Sequence, residues 1–542
     1  MEVFYIVIKL YLYRKGRDLM LQVSRTNNLK VSKTQENIIL DEIGLYLKKE
    51  RKYDYGIIND KKILNYVVDY LYKKLVNNLK KYNKKDLIYY LYEMYDSNLG
   101  NLIVRQHFYA NDITCYPEHK QEIEENINNM NQLSVALKFM IELVSTFKDN
   151  ANDNLSYYNL NYGIAVASQI IEWAYSGDLL HYNMINSEIR LLHSNRIGFD
   201  KTSANRINLL MKKEIDFKNS VDEIEIEKRI NIFLPKIDDK NTEFDKAFLT
   251  EFGYSYTDYT EVTITILELF KEDYDNLLQL RIDDIKNNVK KQISSDIIKK
   301  ILDSLSLEER DDFLIPPKPY SKEEVYPWRF NRAISLTRKP LIKYKNIYLV
   351  GYRTLINSVY HLLSIINNGM LHAQSKTMKD YEAKMNNIKG KVFNDQVFNY
   401  LSSFDSVIVR KNVKKINKNY ISDQRNNSLG DIDILYICIK KKTIGIIETK
   451  NFNISRNYYE IFNEYKKMFD RENPKCFYNK HKKRVEWVKS HIDDIIKEFN
   501  LPDIKWKVKD LFVVENYIIS NKVFDVKANI CTLRDLTEKK LY

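Results

Sequence analysis

The stretch from Gly430 to Lys450, GDIDILYICIKKKTIGIIETK, most constrains what this chain can fold into. Two short runs rich in isoleucine, residues 432–439 and 444–447, are separated by three lysines. Such runs are typical of buried strands, and a polar turn between them predicts a β-hairpin. Because Asp433 stands at the start of the first run and Glu448 at the end of the second, the hairpin would bring carboxylates together at one end of a sheet.

The residue types in this hairpin favour metal chemistry. Residues two apart on a strand share a face, so Asp431 faces the same side as Asp433, and Lys450 the same side as Glu448. Charges on a buried strand are costly unless they are paired or bind a metal. Carboxylates suit Mg²⁺ or Mn²⁺, and a neighbouring lysine can orient the attacking water. The pattern predicts phosphodiester hydrolysis; the alternative is an ordinary ion pair at a solvated hairpin end.

On these residues the chain resembles the PD-(D/E)XK nuclease superfamily, the restriction-endonuclease-like fold. Its pattern is an acid on one strand, a hairpin, and then Glu-x-Lys on the next strand. The resemblance implies that Asp433, Glu448 and Lys450 are catalytic. It also implies that Asp433, Glu448 and the backbone carbonyl of Thr449 hold Mg²⁺ or Mn²⁺. A magnesium-dependent endonuclease of the restriction or phage-defence type is expected, with DNA favoured over RNA as its substrate.

The order of predicted elements matches the core of that superfamily. An apolar helical face after Gly390 precedes a strand at 407–409, and the hairpin follows. Helices at 458–469 and 484–499 and a strand at 511–514 complete the order. Residues 381–542 are therefore expected to form an α/β restriction-endonuclease-like core with a central mixed sheet.

One position departs from the family pattern. Where the first helix often carries a supporting glutamate, this chain has Asn394. Asp395 could supply the acid from a shifted turn, Glu382 could supply it from earlier in the helix, or the site could work without it. The departure favours a second reading, a non-catalytic nucleic-acid-binding or assembly protein that retains the nuclease fold.

Basic residues suggest where a polyanion would bind. The chain has a formal net charge of +13, which favours a nucleic-acid partner. Phosphate contacts flanking the site are predicted from two basic groups, and solvated loops are the alternative: Arg410, Lys411, Lys414 and Lys415, and the turn Lys440, Lys441 and Lys442. His481 and His491 could touch a phosphate, although a lone helical histidine more often completes packing.

The rest of the chain predicts an α+β multidomain protein. Residues 1–310 are expected to be a mostly helical recognition or assembly region, with a capping box at Ser32 and apolar residues at helical spacing in several segments. The same spacing continues from Ile282 to Ile301. Residues 311–380 are expected to be a proline-rich connector and a small bridging unit, with strands at 333–336, 341–344 and 347–350.

Targeting and partner signals are sparse. Residues 3–13 are apolar but contain Lys9, and are too short to span a bilayer. The four cysteines form no CxxC pair and suggest a reducing compartment. A cytoplasmic protein with no membrane partner is expected. The helical region could serve homodimerisation or the docking of a partner protein.

Overall fold

A computed structural model describes residues 29–539 apart from 61, 149–152, 200–201, 213–242, 272 and 330. The apolar segment 3–13 lies outside these residues. The chain divides into two compact units. The first comprises residues 1–181, 186–200 and 231–382, and the second comprises 182–185, 201–230 and 383–542. The proline-rich connector therefore belongs to the first unit.

The first unit is mostly helical, as the periodicity predicted. Ser32 caps its first described helix by accepting a hydrogen bond from the Gln35 backbone N–H. Leu64, Val67 and Leu71 lie on one fully buried face of the next, so burial of an apolar stripe stabilises this helix. The helices of the unit are Lys33–Lys49, Ile63–Leu79, Lys84–Cys115, Lys120–Ser145, Tyr157–His181, Glu243–Phe252, Tyr256–Leu269, Ile282–Lys286, Ser295–Ser304 and Tyr352–Asn367, with Lys376–Ser402 crossing into the second unit.

Two expectations in this unit differ from the structure. The apolar spacing from Ile282 to Ile301 is divided between two helices, because the Ser294 hydroxyl accepts the Ile297 N–H and begins a new helix there. Residues 333–336 form a turn rather than a strand. The buried Glu142 carboxylate pairs with the Arg332 guanidinium and accepts the Leu336 N–H, so this backbone group has its hydrogen bond without a neighbouring strand.

In chain order the described strands are β1 (Gly56–Ile58), β2 (Ile189–Leu191), β3 (Ile197–Gly198), β4 (Leu278–Leu280), β5 (Ser306–Leu307), β6 (Leu341–Tyr344), β7 (Ile347–Val350), β8 (Val407–Val413), β9 (Lys415–Ile416), β10 (Asn419–Tyr420), β11 (Ile432–Cys438), β12 (Thr443–Lys450), β13 (Lys507–Val514) and β14 (Ile530–Thr532). These strands form two larger sheets and two small ones. The first unit contains a four-stranded sheet in the order β4-β7-β6-β5, and the second contains a five-stranded sheet in the order β14-β13-β12-β11-β8.

The five-stranded sheet is mixed, and the predicted hairpin lies at its centre. Strands β8, β11 and β12 are antiparallel, whereas β13 runs parallel to β12 and β14 parallel to β13. Helices Tyr458–Met468, Phe477–Ser490 and Ile492–Glu498 lie between β12 and β13 in the chain, and Ser520–Val523 and Leu533–Lys539 follow β13 and β14. The mixed sheet confirms the coarse prediction for the C-terminal part.

Helices cover both faces of this sheet. Leu435 and Ile437 pack with Val485 and Val488 of the helix Phe477–Ser490. The alternate residues of β11, such as Ile434, pack against the helix Lys376–Ser402 on the other face. Burial on both faces explains why β11 is a continuous apolar run instead of alternating with polar residues. Because side chains alternate along a strand, Asp433 faces the same side as Leu435.

Candidate active site at the end of the central hairpin

The hairpin brings Asp433, Glu448 and Lys450 together. Ile434 pairs with Ile447, so continuing the antiparallel register by one residue places Asp433 across from Glu448. The Lys450 ammonium lies 2.7 Å from Glu448 Oε1 and 3.6 Å from Asp433 Oδ2. The lysine therefore sits between both carboxylates on the face that carries the helix Phe477–Ser490.

Asp433 is held by the end of the neighbouring strand. Its Oδ2 accepts the Thr449 backbone N–H at 2.9 Å and the Thr449 hydroxyl at 3.3 Å. Burial raises the pKa of this carboxyl, the Glu448 charge raises it further, and Lys450 lowers it. A buried carboxyl whose pKa is raised by a neighbouring carboxylate favours the binding of further positive charge.

Glu448 is almost fully buried and has two cationic partners. Lys450 contacts one of its oxygens and Arg484 Nη1 donates to the other. Arg484 Nε also donates to the Leu429 carbonyl at 2.9 Å. The arginine therefore links Glu448 to the loop that precedes β11, the strand of Asp433. Gly430, with φ of +80°, allows this approach, because a Cβ there would lie 2.9 Å from Arg484 Nη2.

Arg484 is the residue of the site that sequence reasoning missed. It lies three residues after His481 and four before Val488, on the buried face of its helix. An arginine among apolar residues at helical spacing needs a carboxylate partner, since a buried unpaired charge is costly. That signal was present in the sequence, but it did not indicate which acid the arginine would meet.

His481 is packed rather than presented to a ligand. Its side chain is 0% exposed, and its ring centroid lies 4.5 Å from that of Phe512. Neither ring nitrogen has a hydrogen-bond partner among the residues that the structure describes. Its Nδ1 is 3.8 Å from Glu448 Oε2. Burial lowers the pKa of His481 to about 4. His491 stacks on Trp487 at 4.0 Å between centroids.

The depressed pKa of His481 predicts a pH-dependent loss of stability. In the unfolded chain the imidazole has a pKa near 6.5 and is protonated below that pH, whereas in the folded protein it stays neutral down to about pH 4. Acidification therefore favours unfolding, and between those two pH values this residue should remove on the order of 3 kcal/mol from the free energy of unfolding. Measured against pH, the wild type should lose stability relative to His481→Leu by this amount. Parallel curves would contradict the assignment.

The two candidate helix acids have partners outside this cluster. Asp395 is exposed and pairs with Lys411, and its helix packs on the opposite face of the sheet from Asp433. Glu382 belongs to the first compact unit, where it accepts the Leu371 N–H. Asn394 donates to the Asn412 side chain. The cluster at the end of the hairpin therefore consists of two acids with cations, and neither candidate helix acid contacts it.

The predicted phosphate-binding residues separate into two regions. Arg410 pairs with Glu498, and Lys414 lies 3.9 Å from Asp431 beside the acid end of the hairpin, with Lys415 exposed next to it. The lysine turn 440–442 joins β11 to β12, so it lies at the opposite end of the hairpin from the acids. At about 3.3 Å per strand residue, the turn is roughly 20 Å from Asp433. The expectation that this turn flanks the acids was wrong, because a hairpin turn and its open end are a strand's length apart.

The donor set suits only an ion that keeps most of its water. No group of three or more His, Cys, Asp or Glu side chains in the described part of the chain is arranged to hold a metal. Mg²⁺ commonly takes just one or two carboxylates, so Asp433, Glu448 and the Thr449 carbonyl are a chemically sufficient set. Lys450 Nζ donates to that carbonyl at 2.9 Å, and a cation at this position would compete with Lys450 and Arg484.

The fold and the cluster define a two-unit α/β protein with a carboxylate–lysine site on its C-terminal sheet. Residues 49–508 match the model of the family described as "Anti-phage protein Upx-like". The match spans most of the chain, so the protein belongs to this anti-phage family. Membership assigns it to phage defence and does not specify an enzymatic activity.

Other comparisons add no relatives. No curated protein and no solved structure matches the chain. Across the described ranges, no helix combines the length and apolar character needed to traverse a lipid bilayer.

Proposed function

We propose that this anti-phage protein is a metal-dependent endonuclease, and that Asp433, Glu448 and Lys450 form its active site. DNA is the favoured substrate and RNA the alternative. The observation that carries the proposal is the position of the Lys450 ammonium within 2.7 Å of one carboxylate and 3.6 Å of another. All three groups share one face at the end of a buried hairpin, as the resemblance to PD-(D/E)XK nucleases implies.

Each residue has a role that follows from its surroundings. Asp433 and Glu448, with the Thr449 carbonyl, would hold Mg²⁺ or Mn²⁺. When bound, such an ion stabilises the charge that develops on a phosphodiester during hydrolysis. The Lys450 ammonium would orient the attacking water and add positive charge next to the phosphate. Thr449 fixes the Asp433 carboxylate through two hydrogen bonds, which keeps its orientation independent of substrate.

A second candidate function is supported by the partners of Glu448. Lys450 contacts one of its oxygens and Arg484 the other, which neutralises this acid without any metal. A protein that kept the fold to bind nucleic acid or a partner protein would retain such a pair as structural support. Asn394, in place of a supporting acid, agrees with this candidate. The two functions differ in whether a divalent ion binds and whether cleavage occurs.

Metal binding tests the proposal directly. Calorimetric titration of Mn²⁺ or Mg²⁺ should show binding to the wild type and none to Asp433→Ala. Asp431→Ala is the matched control, because Asp431 lies two residues away, just before β11, and is 42% exposed; it should retain binding. The same proteins should be incubated with plasmid, single strands and RNA, with and without Mg²⁺. Equal metal binding by wild type and Asp433→Ala would remove Asp433 from the site.

A further inference from the structure

We propose that the short hairpin Lys415–Tyr420 is a platform for single-stranded DNA, on which the Tyr420 ring stacks against an unpaired base. This rests on the proposed function, because it names the form of nucleic acid that the same unit would engage. The hairpin consists of β9 and β10, joined at Asn417 and Lys418. It follows β8 directly and precedes the strand that carries Asp433.

The Tyr420 side chain is highly exposed to solvent. It is 69% exposed, a larger fraction than for any other large apolar side chain in the described ranges. A tyrosine is a broad apolar surface with a polar tip, and such rings are normally packed at least on one face. A ring as exposed as Tyr420 can stack on a nucleobase.

The backbone beneath the ring is fixed. Ile416 and Ile421 are buried in the core of the sheet, and the Ile421 N–H donates to the Lys414 carbonyl. The amides of Asn417 and Asn419 each donate to an oxygen of Asp494 at 2.9 Å. A platform that is already ordered loses little conformational entropy when it binds, so its exposed ring is preorganised for a ligand.

Lys418 occupies a position of the hairpin turn at which glycine is usual. Asn417 and Lys418 have φ of +44° and +73°, the left-handed pair that a two-residue hairpin turn requires and that glycine fits best at its second position. Lys418 occupies that second position at a conformational cost, and it is exposed. Its ammonium therefore projects from the turn two residues before Tyr420.

Three exposed lysines lie on the hairpin or directly before it: Lys414, Lys415 and Lys418. Carboxylates lie among them: Lys414 is 3.9 Å from Asp431, and Arg410 pairs with Glu498. Asp494 accepts hydrogen bonds from the Asn417 and Asn419 amides, which orient it but leave its charge in place. Asp423 accepts hydrogen bonds from its own loop at Arg425 and Asn427. Cations around an exposed ring match a backbone of phosphates carrying accessible bases.

The platform lies beside the acid end of the central hairpin. Val413 pairs with Ile432, one residue before Asp433, and Lys414 Nζ is 3.9 Å from Asp431. A strand held on Tyr420 would thus pass close to the candidate site within the same compact unit. In a duplex the bases are stacked on one another, so only an unpaired base can lie flat on this ring.

The affinity for a labelled thymidine oligonucleotide, measured by fluorescence anisotropy in EDTA, tests whether an unpaired base stacks on Tyr420. Tyr420→Ala should weaken binding about 5- to 150-fold, the range for loss of one base–aromatic stack. Tyr420→Trp should restore binding, and the slope of log affinity against log salt should stay unchanged because no phosphate contact is lost. Tyr158→Ala is the matched control: Tyr158 is 65% exposed on a helix of the other unit and should leave affinity unchanged.

The outcomes separate the platform from the active site. Equal affinity of wild type and Tyr420→Ala for the single strand would overturn the platform and leave the nuclease proposal standing. So would a wild type that cleaves duplex but binds no single strand in EDTA, or a Tyr420→Ala that weakens duplex binding equally. A uridine oligonucleotide bound more tightly than thymidine would overturn the assignment to DNA. Loss of binding in Tyr420→Ala with no cleavage by any protein would support the platform and overturn the nuclease.

Discussion

Replacing Lys450 with alanine should lower the rate of phosphodiester cleavage by about 10²- to 10³-fold, the usual contribution of a positioned proton-transfer group or electrostatic stabiliser. Metal binding and nucleic-acid binding should persist, because the ammonium acts on the water and the developing charge rather than on the ground state. Glu448 would keep Arg484 as a partner, so the protein should stay folded. Single-turnover cleavage, calorimetry and thermal unfolding measure the three properties.

A second lysine in the same unit provides the control for this variant. Lys482 also pairs with a carboxylate, Asp510, at 2.8 Å and is 40% exposed. Lys482→Ala removes a comparable ion pair without removing the ammonium that sits between Asp433 and Glu448, so its cleavage rate should stay close to that of the wild type. Cleavage by Lys450→Ala at the wild-type rate would place the active site elsewhere and favour the non-catalytic candidate.

The local geometry of the hairpin could be predicted from the sequence because short-range rules govern it. Isoleucine-rich runs with a lysine turn predicted the hairpin whose strands are residues 432–438 and 443–450, and the period of two assigned Glu448 and Lys450 to one face of the second strand. The helical character of the first unit followed from apolar spacing in the same way. These features depend on residues close in sequence, so no tertiary contact was needed to infer them.

The features that escaped prediction depend on packing between distant residues. Arg484 contacts Glu448 across 36 positions of sequence, and only the docking of its helix on the sheet decides which acid it meets. The hairpin at 415–420 has Asn417 and Lys418 where Asn-Gly would have signalled a turn. Residues 333–336 form a turn in which the Leu336 N–H donates to the Glu142 carboxylate, a hydrogen bond between residues 194 positions apart.

Replacing Arg484 with methionine should lower the free energy of opening of the C-terminal sheet by about 1.5–3 kcal/mol, the usual contribution of a hydrogen bond to a charged group, because Glu448 loses one of its two cationic partners and keeps Lys450. The side chains of Arg484 and Glu448 are only 9% and 4% exposed, so water cannot replace the lost charge. Hydrogen exchange of the β12 amides reports this opening without requiring the whole chain to unfold in one step. Arg410→Met, which breaks an exposed pair with Glu498, should cost at most about 1 kcal/mol.

A variant that carries both Arg484→Met and Glu448→Gln tests whether the arginine stabilises the fold by neutralising Glu448. Glu448→Gln should relieve much of the cost of Arg484→Met, because the amide carries no charge to leave unpaired, and the double-mutant cycle should show strong coupling between the two positions. If Mg²⁺ then protects the β12 amides of Arg484→Met more than those of the wild type, the ion and the arginine compete for the same Glu448 oxygens. A coupling near zero, with a cost equal to that of the Arg410 control, would mean that Lys450 alone neutralises Glu448 and that Arg484 does not hold the site together.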